Sequence, residues 1–239
     1  MERPTSNDII ARLQSTIALM VRGQIEEQLA QNPARAQSWA GGLDRLEKWV
    51  QEEGLSPQMV REERSLLNKS WGEWNADEMT AIAWRIEGAA VLLYALGKLA
   101  LPHDSLQPVA SHEVQSCTSL LPPHAELLDG IRPLPPADIE HFRKAMGIWR
   151  WRARTELQHR RGADAATGEP YEKLVGRAAA RAEKAGFITA VEGDFGLHGL
   201  PFAKLSENNL RTQATVALER GRAADWLCGQ AGWDAPAEL

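Results

Sequence analysis

A mainly α-helical bundle, gathered around one buried helix near residues 78–99 and carrying one small β-hairpin near 195–203, is what this 239-residue sequence predicts. Three observations predict it. Apolar residues recur at three- and four-residue spacing through most of the chain, which is the period of an amphipathic helix. One stretch, EMTAIAWRIEGAAVLLYALGKLA from Glu78 to Ala100, is apolar on every side. The period changes only after Phe187, where short extended pieces take over.

The apolar stretch sets the frame. At about 100° per residue, Met79, Ile82, Ile86, Ala89 and Leu93 point one way, Trp84, Val91 and Ala95 another, and Leu92 and Leu99 a third. A helix apolar all round lies inside a bundle or a membrane. Its uncharged run from Gly88 to Gly97 is shorter than the roughly 20 residues that span a bilayer, so the bundle interior is its place. Asn75 caps it, with Glu78 completing a capping box.

The flanking elements follow in order. Ile10, Leu13, Ile17, Met20, Val21, Ile25 and Leu29 make a helical stripe over Thr5–Gln31, stopped by Asn32-Pro33. Trp39, Leu43, Leu46, Trp49 and Val50 make a second over Ala34–Glu53, ending at Gly54. Ser56-Pro57 opens a short helix through Leu67. Prolines at 102, 108, 122, 123, 133, 135 and 136 then break the pattern into an ordered crossover over 101–136, with short turns at Val114–Leu120 and Ala125–Leu128. Leu120, Leu121, Leu127 and Leu128 are expected to need burial there.

Pro136 opens the longest remaining helix, Ala137–Arg161, whose core face holds Ile139, Phe142, Met146, Trp149, Ala153 and Leu157. Arg143, Arg150, Arg154 and Arg161 run beside that face, and cations in that position snorkel or meet acids on a neighbouring helix. A Gly/Ala-rich loop at 162–169 leads to an amphipathic helix at Tyr171–Lys184. Residues 187–191, 195–197 and 201–205 read as extended pieces, with His198-Gly199 as the hairpin turn. Ser206 caps a last helix whose face of Leu210, Ala214, Ala217, Gly221 and Ala224 suits close packing. Trp226, Leu227 and Trp233 anchor the end. The chain thus reads as one helical domain over 1–239: N-terminal helices to residue 100, the crossover, then C-terminal helices plus hairpin.

Composition narrows the function. A net charge of −5 argues against general phosphate-backbone binding. Cys117 and Cys228 have no metal-type spacing and suit a reducing compartment, and no secretory or membrane-spanning pattern is visible, so a cytoplasmic protein is expected. Glu156-Leu-Gln-His159 fits one E-x-x-H step of a di-iron helix, but such a site needs a second copy, which is missing. Sequence motifs for a phosphate loop, a dinucleotide fold, a nucleophile elbow or a zinc helix are absent, and no cofactor is expected.

Arg85 and Glu87 remain as charges inside the apolar helix. Two positions apart, they project roughly 200° from each other and need partners from other segments. The helices that should pack together supply Arg150, Arg154, Glu219, Arg220 and Asp225. Glu87 is expected to meet Arg150 or Arg154, and Arg85 to meet Glu219 or Asp225.

Trp84-Arg85-Ile86-Glu87, running into Leu92-Leu93-Tyr94-Ala95-Leu96-Gly97, resembles the W-R-x-E…LLWALG core of the bacterial family called domain of unknown function 4272. Leu55-Ser56-Pro57, Gly193-Asp194-Phe195…Leu205-Ser206 and Glu219-Arg220…Ala224-Asp225-Trp226-Leu227…Trp233-Asp234 are similar to further pieces of that family, in the same order over roughly residues 35–239. Gly221 stands where members often carry His, and Asp225 where they carry Asn. The resemblance implies a bacterial, cytosolic, α-rich protein and brings no activity with it.

Three functions follow from these residues. The first is a non-enzymatic interaction or structural module, joining a protein partner or a second copy. It rests on nine tryptophans and on Ile148 and Trp151, which lie off the core face of their helix. The second is a small-molecule enzyme or ligand binder built on the Arg/Glu cluster, since guanidinium groups grip carboxylates and phosphates bidentately. The third is single-stranded nucleic-acid binding through the basic helix at 137–161, which the acidic whole chain disfavours.

Overall fold

Residues 2–162 and 168–235 are described by the computed structural model, without the side chains of 35–38. Most of the Gly/Ala-rich loop at 162–169 therefore lies outside the described residues. Helix α1 (Ser6–Gln31) begins in a capping box: Thr5 Oγ1 accepts from the Asp8 amide, and Asp8 accepts from the Thr5 amide at 2.8 Å. The Thr5 hydroxyl, which donates to Asp8 Oδ2 at 2.6 Å, and then the Thr5 amide hold the Asp8 carboxyl below its usual range. Its apolar stripe, with Ile10, Leu13 and Ala18 at the centre, is buried against α2 (Ala36–Glu52) and the helices at the middle of the fold.

The helix expected from Ser56 to Leu67 is two pieces, a 3₁₀ turn at Ser56–Gln58 and α3 (Arg61–Leu67). The break has a polar cause. Arg12 Nη2 takes the Gln58 carbonyl and the Glu63 carboxylate takes the Val60 amide at 3.1 Å, so neither group is left for a continuous helix.

The central helix is also divided, which corrects the single span of 78–99. α4 (Ala76–Ala83) starts at the foreseen Asn75–Glu78 box and buries only Ile82. α5 (Arg85–Ala95) is the enclosed part, with Ala89 through Leu93 and Leu96 at 0% exposure. The axis breaks at Trp84, whose amide faces both Thr80 and Ile82 carbonyls. Gly97 ends α5: at φ +71° it lets Lys98 N reach the Leu93 carbonyl at 2.9 Å, closing a Schellman turn.

The freed carbonyls of Ala95 and Leu96 accept from the Leu134 and Arg132 amides of the crossover. A Cβ on Gly97 would lie 2.1 Å from the Arg132 carbonyl oxygen. Gly97→Ala should therefore lose at least about 2 kcal/mol, from left-handed backbone strain plus the broken crossover contact. Urea denaturation checks this, and a loss under about 0.5 kcal/mol would contradict it.

In the crossover, α6 (Ser111–Cys117) and α7 (His124–Leu128) bury Val114 and Leu127. Leu120 and Leu128 are exposed instead, contrary to the expectation for them. On a helix as short as α7, adjacent leucines point about 100° apart, so only Leu127 can face the core. α8 (Pro136–Arg160) and α10 (Glu207–Leu227) form the most extensive helix pair among the described residues, with Gly221 of α10 against the Arg150 side chain of α8, and α10 also packs on α5, where Ala223 lies beside Gly88. α9 (Tyr171–Lys184) lies over α8 and the sheet.

That sheet is a three-stranded antiparallel meander: β1 (Ala190–Val191), β2 (Asp194–Leu197) and β3 (Leu200–Pro201). The expected hairpin is its second half. The first half turns at Glu192-Gly193 (φ 51° and 78°), the second at His198-Gly199 (φ 52° and 75°). Both are two-residue loops with positive φ throughout, the twist-matched kind for hairpins. Residues 202–204, expected as strand, form a 3₁₀ turn.

Candidate functional site

Glu87 and Arg220 form the most enclosed ion pair among the described residues, each with a side chain 1% exposed. Glu87 sits in the first turn of α5 and Arg220 on the face of α10 that packs against it. Arg220 Nε donates to Glu87 Oε2 at 2.8 Å, Nη1 to the Ser105 carbonyl at 3.0 Å and Nη2 to the Gln107 carbonyl at 2.6 Å. Glu87 Oε1 accepts from the Val109 amide at 2.8 Å. The pair thus clamps the crossover segment 105–109 to two core helices. Burial pulls the Arg220 guanidinium below its usual range, and Glu87 pulls it back up.

The expected partners of Glu87 are elsewhere. Arg154 is exposed, and Arg150 Nη2 donates to Asp225 at 2.8 Å, which also receives Arg143 at 3.4 Å. The same Arg143 fork keeps the Glu140 carboxyl down at about 2, against the opposing effect of burial. Arg85 does meet Glu219, at 3.4 Å, and Arg222 lies 4.0 Å from the same carboxylate. Arg85 Nε and Arg222 Nε and Nη2 are buried without a hydrogen-bond partner among the described residues. Arg222 and Arg12 each sit about 5 Å from the Trp233 ring centroid, and Trp233 Nε1 donates to Glu63.

Burial pushes the Glu219 carboxyl above its usual range, Arg85 opposing and Glu87 adding to the rise. A raised carboxyl stabilises the fold below its unfolded pKa of about 4.3, and that contribution is lost as pH rises through the folded value. Glu219→Gln removes the loss. Its stability relative to the unsubstituted chain should therefore climb between about pH 4 and pH 7, read from denaturation midpoints at both. Parallel pH profiles for the two proteins would contradict the assignment.

Sequence reasoning missed a second enclosed network. Arg152, at 0% exposure, sends Nε and Nη2 to the two Asp194 oxygens, both at 2.7 Å, and Nη2 also to Glu156 at 2.9 Å. Asp194 accepts from the Phe195 and Ala203 amides as well. Burial works against the Arg152 charge, but the Asp194 carboxylate outweighs it and holds the guanidinium above its usual range. Glu156 is shared with Arg160 and the Tyr171 hydroxyl, and His159 stacks on the Tyr171 ring at 3.7 Å. No group of three metal-ligating side chains is found among the described residues. The signal was there to read: Trp149, Arg152 and Glu156 continue the three-four spacing of the core face.

Asp194 is filled by the donors of Arg152, Phe195 and Ala203, and Glu87 and Glu156 are buried and bonded to neighbouring segments. The described grooves are lined by other residues. One of them, about 490 Å³, runs between α8 and α9 with Gly147, Ile148, Trp151, Leu174, Ala178 and Phe187 in its walls. Ile148 and Trp151 are the pair that the sequence places off the core face, and both are half-buried. Arg177 and Arg181 border it, and Lys184 continues their stripe on α9 at i, i+4, i+7. Arg177 is paired with Glu169, whereas Arg181 and Lys184 have no ion-pair partner among the described residues.

Among known proteins, no family model, curated protein or solved structure matches this chain.

Proposed function

We propose that this chain is a protein-interaction module whose contact site is the α8/α9 groove, and that its occupant is an amphipathic, acidic segment of a protein. The observation that carries the reading is the pairing of an open apolar floor, Ile148, Trp151 and Phe187, with Arg181 on one wall and Lys184 next along the same helix, both without an ion-pair partner among the described residues. Small residues in the walls, Gly147 and Ala178, let a backbone approach closely, and the cations select for acids at the rim. The Arg/Glu cluster serves as framework in this reading. Two unbridged cysteines fit a cytoplasmic setting, where the family resemblance would also put it.

Fluorescence anisotropy with a labelled helical peptide, one face Leu/Phe and the other Glu, tests this. Binding should weaken with salt and fall about tenfold or more in Arg181→Glu/Lys184→Glu. No binding up to about 1 mM, or binding that ignores the charge reversal, would overturn the reading. A labelled single strand that binds more tightly than the peptide would transfer the groove to nucleic acid.

A further inference from the structure

We infer that the occupant of the α8/α9 groove is a second copy of this chain, entering with the loop that carries Trp71; the inference rests on the groove being a docking site. Trp71 is the most exposed of the described aromatic side chains at 45%, in the connection between α3 and α4. Its turn is held from below. The Gly72 amide donates to buried Glu26 at 2.8 Å, the Lys69 carbonyl accepts from buried Arg22 at 3.0 Å, and Trp74 Nε1 donates to the Leu66 carbonyl at 3.0 Å. A side chain presented on such a turn docks at small ordering cost.

The charges match across the two surfaces. Exposed Glu73 and Asp77 follow Trp71, and exposed Asp44 and Glu47 border the adjoining groove that Trp71 shares with α2. None of these four acids is in an ion pair among the described residues. The receiving groove has the opposite sign: Arg181 borders its apolar floor and Lys184 follows on the same helix, neither in an ion pair among the described residues. Knob and groove share no residue, so each copy keeps one of each: two copies that exchange knobs close into a two-fold dimer, and copies joined by one contact each run head to tail into rings or open chains.

Sedimentation velocity of the full chain, from about 1 µM to about 1 mM, tests this with two variants. Trp71→Ala removes the exposed knob, and Arg181→Glu/Lys184→Glu reverses the groove rim; circular dichroism confirms that both fold. The unsubstituted chain should form concentration-dependent oligomers that shrink in high salt. Each variant alone should sediment as a monomer, its association about tenfold weaker or worse. Their equimolar mixture should give a 1:1 dimer and nothing larger, because one knob and one groove remain intact. Oligomers that survive in either variant, or a mixture that stays monomeric, would overturn the inference. A chain that is monomeric throughout yet still binds the acidic peptide loses the second copy and keeps the groove. A monomer that also ignores the peptide loses both.

Discussion

Glu87→Ala should destabilise the fold by about 3–5 kcal/mol, because it leaves the Arg220 guanidinium in the core without a counter-charge. The substitution also removes the acceptor of the Val109 amide, so the crossover segment is left with the Arg220 bonds to the Ser105 and Gln107 carbonyls. Chemical denaturation measures the loss. Hydrogen exchange should show the Val109 amide opening before the core helices do. Glu87→Gln keeps a carbonyl for Val109 and gives up the charge, so its cost should be smaller, about 1–3 kcal/mol. A loss under about 0.5 kcal/mol for the alanine variant would mean that Arg220 finds water, and the enclosure described for this pair would be wrong.

Asp194→Ala should cost somewhat less, about 3 kcal/mol, because Arg152 keeps Glu156 as a counter-charge. What it loses is the tie between α8 and the meander. Asp194 is the one group that bonds Arg152, Phe195 and Ala203 at once. The Trp149 ring lies 5.4 Å from Phe195 and 5.9 Å from Phe202, so its fluorescence should report the loosened sheet directly. Acid should weaken the same corner. Burial raises the Glu156 carboxyl, but hydrogen bonds from Tyr171, Arg160 and Arg152 outweigh it and leave it below its usual range. A depressed carboxyl contributes stability above its unfolded pKa, near 4.3, and loses it as pH falls through the folded value. An Asp194→Ala protein with native stability and an unchanged tryptophan spectrum would contradict the tie.

Particular residues show what the sequence could and could not reveal. The Asn75–Glu78 box, the Ser206 cap and the His198-Gly199 turn were legible, because each is decided by a few adjacent side chains. The turn at Glu192-Gly193 was not, since glutamate is an unusual residue for φ near +51° and only the following glycine signals it. The division of the central helix at Trp84 carries no proline or glycine to mark it. Arg85 meeting Glu219 was within reach of helical periodicity, yet the partner of Glu87 was off by one helix. Glu219 and Arg220 point about 100° apart, yet both reach α5, one to Arg85 and the other to Glu87, so the counter-charge of Glu87 comes from α10 and not from α8, which packing alone sets. Arg152 continues the core spacing with Glu156 one turn on, but its main acid, Asp194, arrives from 42 residues away, and no local pattern names it.

The claim that most needs testing is the division of labour between a structural Arg/Glu framework and a separate contact groove. Glu87→Leu with Arg220→Met replaces the enclosed pair by apolar groups of similar reach, a change that in other folds has been neutral or stabilising by about 1–4 kcal/mol. Titration of this folded double variant with the acidic amphipathic peptide is the direct measurement. Affinity within about twofold of the unsubstituted chain is the predicted result. A double variant that folds cooperatively and no longer binds would show that the Arg/Glu cluster is part of the functional site, and the account would be wrong at its centre.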